Sequence, residues 1–140
     1  MKPFLKTHWA LRLAACAIAV ASTVAPTVAH SAPPAFEHAI SNIPGKSLVA
    51  VEVDFAPGQT SPPHRHARSA FIFAYVLSGT IRSQVEGEPA RDFHAGESWY
   101  EAPGAHHLQA RNTSTSKPAK LLAIFVVDSD EKTLTTADKE

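Results

Sequence analysis

The chain has 140 residues, 44% of them hydrophobic, with 13 Lys and Arg against 13 Asp and Glu and one cysteine, Cys16. That length holds one domain, a single cysteine excludes an internal disulfide, and a formal net charge of zero with no basic stripe argues against a nucleic-acid partner.

The first segment reads as a leader. Lys2, Lys6 and Arg12 make a basic start, Leu13 to Val24 is almost wholly apolar, and Thr27-Val28-Ala29 or Ser31 offers a small-residue cleavage site. This is the layout of a signal peptide over residues 1–29, and it predicts a periplasmic or secreted protein. A membrane span needs about 20 apolar residues. Pro26 interrupts the run first, so no stable membrane insertion is expected after cleavage. Leu13-Ala14-Ala15-Cys16 is similar to a lipid-attachment box, but it follows Arg12 too closely and the apolar run continues past it. Cleavage removes Cys16 and leaves 10 Lys and Arg against 13 Asp and Glu. A mildly acidic domain of about 110 residues must then hold together by its core alone.

Residues 30–46 form an N-terminal arm whose alternating Phe36, His38 and Ile40 suit an edge strand. His30 and His38 have no partner at ligand spacing. In Leu48 to Phe55, Val49, Val51, Val53 and Phe55 fall on one face and Glu52 and Asp54 on the other, which predicts a strand. After Pro57-Gly58 comes His64-Arg65-His66. On an extended strand residues i and i+2 share a face, so His64 and His66 project together while Arg65 points away. Such a pair can share one ion, and imidazole suits zinc, copper, iron or nickel alike.

Ala70 to Leu77 is apolar at every position and predicts a strand covered on both faces. Thr80 to Val85, Arg91 to Phe93, Ser98 to Glu101, His106 to Ala110 and Lys120 to Val127 follow as short strands split by Gly, Pro and polar turns. With no helix-period segment, residues 47–128 are expected to be an all-β sandwich or barrel. Residues 129–140 are charged, lack apolar spacing and are expected to form a loose polar tail.

Two motifs order this region. Gly58 is followed by five residues, His64-x-His66 and later Gly79; Gly96 is followed by five residues, Ala102-Pro103-Gly104, two residues, His107 and then Asn112. Together they resemble the paired motifs of the cupin superfamily, in its small single-domain, type-2 form, across roughly residues 44–128. The resemblance implies a double-stranded β-helix (a jelly-roll barrel) with one divalent metal (Fe, Zn, Mn, Ni or Cu) on His64, His66 and His107. It also implies a small molecule in the barrel and a homodimer. The family's glutamate ligand is missing: Ala70, Phe71 or Ile72 stands where it would fall. Some cupins hold iron with three histidines, and others have no metal. The implied function is therefore a metal-dependent enzyme, dioxygenase-like first and isomerase or hydrolase second, or else a non-catalytic binding or sensory module.

Phasing of the last ligand divides the two lines of reasoning. Periodicity turns His106 inward with Leu108 and Ala110, whereas the motif count turns His107 inward and carries Gln109 with it. The motif count also fixes the preceding turn, so it is preferred, and Gln109 is expected beside the metal. Glu101 is expected to face solvent before the turn, with a place as substitute ligand as the alternative. His94 and Glu97 flank a turn. Tyr75, Trp99 and Tyr100 read as wall and core, with Tyr75 near enough to touch a substrate. Arg65 and Arg68 lie by the mouth, where a guanidinium can hold a carboxylate.

Overall fold

Alternating apolar and polar positions lay the chain out as strands throughout the computed structural model, which describes residues 33–139. The expected leader, with Cys16, lies outside these residues. The described strands are β1 (Phe36–Ala39), β2 (Lys46–Phe55), β3 (Thr60–Ser61), β4 (His64–His66), β5 (Phe71–Ser78), β6 (Thr80–Val85), β7 (Arg91–His94), β8 (Ser98–Glu101), β9 (His106–Asn112), β10 (Ala119–Asp128) and β11 (Thr135–Ala137). One sheet runs β1-β2-β10-β5-β8 and the other β11-β4-β9-β6-β7, with β3 added to β9. Every pairing among them is antiparallel. No helix among the described residues is long and apolar enough to cross a membrane.

The two sheets face each other across one core. Val49, Val51 and Phe55 of β2, Ile72, Ala74 and Val76 of β5, and Leu121, Ala123, Phe125 and Val127 of β10 bury their side chains between the sheets. Ile81, Phe93 and Ala110 answer from the other sheet. Each large apolar side chain so buried stabilises the fold by about 1.5–3 kcal/mol. Two features close the end opposite the histidines. Gly79 has φ +77°, and a Cβ there would lie 2.6 Å from that of Ala119, so only glycine fits this turn. Asn112, fully buried, donates to the carbonyls of Phe55, Ala56 and Lys117 and accepts from the Ser114 amide, tying the β2–β3 and β9–β10 connections together.

Three expectations need correction. The outer face of β5 is not covered: Phe71, Phe73 and Leu77 are 44%, 39% and 41% exposed. The polar tail is not loose throughout, because Thr135–Ala137 pair with His66, Arg65 and His64 and complete the edge beside the first motif. Backbone hydrogen bonding made that strand without any apolar pattern to announce it. In β9, Gln84 pairs with Gln109 but Val85 pairs with His107, so Leu108 is an extra residue in the ladder. This bulge flips the alternation. His107 faces inward before it and Ala110 and Asn112 face inward after it, so motif count and periodicity each hold on one side.

Candidate metal centre

Register brings the histidines together. His64 lies opposite His107 on the β4–β9 ladder, and cross-strand partners share a face. His66 is two residues further along that face. The ring centroids are 4.8 Å apart for His64 and His66, 5.1 Å for His64 and His107, and 6.0 Å for His66 and His107. One nitrogen from each ring lies within 4.8 Å of the other two.

Neighbours decide which nitrogen each ring presents. His64 Nδ1 donates to the Pro62 carbonyl at 2.8 Å, which leaves Nε2 as the lone-pair donor. Thr135 Oγ1 lies 3.4 Å from His66 Nδ1, again leaving Nε2. His107 is turned the other way: its Nε2 meets Ser83 Oγ at 2.9 Å, so Nδ1 faces the cluster. Such outer partners orient ligands and set the tautomer. Ser83 and Thr135 escaped sequence reasoning. The signal for Ser83 was a polar residue at an inward position two along from Ile81; Thr135 carried none.

Burial keeps these rings in the ligating state. Desolvation pushes His107 down to about 4 against the upward pull of Glu101, and it lowers His64 against the hydrogen bond to Pro62. Both are neutral at pH 7 and free to donate a lone pair. Glu101, expected to face solvent, is 3% exposed and stands among them. Burial alone would raise its carboxyl, but the close approach of His66 and of the neighbouring His107 imidazole brings it below the usual carboxylate value. Trp99 Nε1 donates to Glu101 Oε1 at 3.0 Å. His66 Nε2 and Glu101 Oε2 are buried without a hydrogen bond of acceptable direction, although only 3.1 Å apart. Three converging imidazoles and an unpaired buried carboxylate oxygen suit a divalent ion, which would satisfy what the protein leaves open.

The remaining candidates scatter. Gln109 is half-buried opposite Gln84, past the bulge, and does not join the cluster. Tyr75 stacks on Phe73 at 6.2 Å on the outer side of β5, away from the site. Its odd-numbered position settles this, since Ile72, Ala74 and Val76 hold the inner face. Trp99 is barrel wall, 4.6 Å from Phe93 and 6.4 Å from His107, whereas Tyr100 is 67% exposed. Arg65 faces outward to His106 and Glu86. With exposed Arg68 it lines a groove beside Gly104 and β11. A cleft of about 690 Å³ reaches inward past Arg65 and Arg91 to Ser83, Phe93, Trp99 and Glu101. That volume suits a small molecule.

Residues 51–125 match the family model of the cupin domain. The chain belongs to the cupin family. Its facing sheets are the cupin double-stranded β-helix, and solved structures agree. An uncharacterised conserved protein with a double-stranded β-helix domain from Klebsiella pneumoniae subsp. pneumoniae MGH 78578 matches at TM-score 0.61 and 19% identity, over 82% of this cupin and 89% of that chain. DMSP lyase DddQ from Ruegeria pomeroyi DSS-3 matches at TM-score 0.54 and 24% identity, over 64% of this chain. Oxalate oxidase in complex with the substrate analogue glycolate matches at TM-score 0.50 and 29% identity, over 59%. The cupin spans 42% of the length of each of these two enzymes. No curated protein matches it by sequence.

Proposed function

We propose that this protein is an exported cupin that holds one divalent metal on His64, His66 and His107 and takes a small molecule into the cleft above it. The observation that carries the reading is the convergence of three oriented imidazoles on one point inside the barrel. When bound, the ion supplies Lewis-acid or redox chemistry at positions the histidines leave open. The chain's own residues do the rest. Pro62, Thr135 and Ser83 set the rings, Trp99 and Phe93 wall the cleft, and Arg91 at its rim supplies a positive charge for an anionic ligand. Oxalate oxidase, crystallised with glycolate, supports a small carboxylate as the ligand class to try first. Export rests on the basic start, apolar run and small residues of the first 29 positions.

Elemental analysis of the exported protein, purified without an affinity tag, tests this reading. Iron near one per chain favours an oxygen-dependent enzyme, and zinc favours Lewis-acid catalysis. Absence of any metal would sink the metal reading and leave a non-catalytic binding module. One observation favours that second reading: Glu101, the acid among the histidines, already accepts from Trp99 at one of its two oxygens and stands against the imidazoles with the other.

A further inference from the structure

Glu101 sits where an outer partner would have nothing to hold. A carboxylate that orients a metal-bound histidine binds the nitrogen turned away from the metal. In His66 that nitrogen is Nδ1, already at Thr135; in His107 it is Nε2, already at Ser83. Glu101 instead approaches the two nitrogens that remain for coordination, with Oε2 3.1 Å from His66 Nε2 and Oε1 3.3 Å from His107 Nδ1. Two atoms bound to one ion at about 2.1 Å lie roughly 3.0 Å apart at a right angle and 3.4 Å apart at a tetrahedral angle. The observed separations fall between those limits. Oε2 and His66 Nε2 also lack any hydrogen-bond partner of their own.

We infer that Glu101 is a direct ligand, so that the site is three histidines and one carboxylate. The inference rests on the proposed three-histidine metal site and extends it. The carboxylate comes from β8, where Glu101 pairs with Ile72 of β5 on the same inward face. An anionic oxygen donor also shifts the preference toward harder divalent ions such as manganese, iron or zinc.

Cobalt(II) loading of the wild-type chain, Glu101→Gln and Glu101→Ala tests the inference. Affinity is read by competition with a chromophoric chelator, coordination by the visible spectrum of the saturated protein, and folding by thermal melts of the metal-free forms. Both variants are expected to bind at least about a hundredfold more weakly, at or beyond the ~10–100-fold typical of an outer partner, and to show an altered cobalt spectrum. Glu101→Gln keeps an oxygen for Trp99 and the same volume, so it guards against loss of folding. An unchanged spectrum at saturation in Glu101→Gln, with or without weaker binding, overturns the inference and leaves the three-histidine site standing. A wild-type chain that binds no cobalt overturns both.

Discussion

His106 and His107 are adjacent, yet the strand sends them to opposite faces. His106 lies outside, its Nε2 2.7 Å from Asp138 and its Nδ1 3.0 Å from Arg65. His107 is 4% exposed inside. Replacing His107 by Ala should weaken metal binding by roughly a hundredfold, taking a direct ligand to cost at least as much as an outer partner, while His106→Ala should stay within about threefold of wild type. Metal per chain after dialysis reads the contrast, and the reverse order would mean that the strand is phased wrongly. Burial of His107 also predicts a pH response in the metal-free protein. Its imidazole titrates near 4 in the fold and near ~6.5 when unfolded. Between those values the unfolded chain binds the extra proton, so stability is fully present above pH ~6.5 and is lost as pH falls toward 4. The increment is on the order of 3 kcal/mol. Chelator-treated protein should therefore melt progressively lower from pH 7 to 4.5, and a flatter profile is expected for His107→Leu. A flat wild-type profile would show that His107 is not desolvated.

At the scale of elements, β11 is the strand whose role is least expected from its composition. Its three residues are exposed, yet it covers the edge of β4 that carries both His64 and His66, and Thr135 turns the His66 ring. Truncation after Leu134 removes β11 but keeps Leu134, which packs on the core and accepts a backbone hydrogen bond from Ala67. The barrel should remain folded by circular dichroism, and metal affinity should fall about tenfold, the lower range for loss of an orienting partner. Unchanged affinity in the chelator competition would show that Thr135 does not orient the ligand. The bulge at Leu108 is the second such device: one extra residue in β9 lets His107, Ala110 and Asn112 all face inward.

For the whole molecule, the outer side of the five-stranded sheet carries an apolar face among the described residues. Phe71, Phe73, Leu77 and Tyr100 are exposed on its outer side, and Phe71 stacks on Tyr100 at 5.8 Å. Half-buried Leu122, Ile124 and Val126 lie on the same side of β10. A continuous apolar face of this kind marks an interaction surface, and we propose that a second copy of the chain occupies it about a two-fold axis. Sedimentation of the chain from residue 30 onward at tens of micromolar should give about 24 kDa, twice a ~12 kDa chain of roughly 110 residues. Phe73→Glu should give the ~12 kDa species with its metal site intact. A monomeric wild type would rule the dimer out.

The strands and the pairing of His64 with His66 on one face were legible in the residues alone, because alternation and the His64-x-His66 spacing are local properties of an extended chain. The motif count also turned His107 inward, as it lies in the structure, since only two residues separate it from the turn at Pro103-Gly104. What the chain could not reveal by itself depends on contacts between strands. The Leu108 bulge exists only against β6, so Gln109 read as an inward residue until the register was seen. Ser83 and Thr135 approach the histidines from other strands, with no spacing to betray them. Glu101 is the sharpest case. In sequence it is an acid before a turn, and only its pairing with Ile72 across the β5–β8 ladder aims it at His66 and His107. Local geometry can be read along one strand, but the fourth member of this cluster was decided by which strands lie side by side.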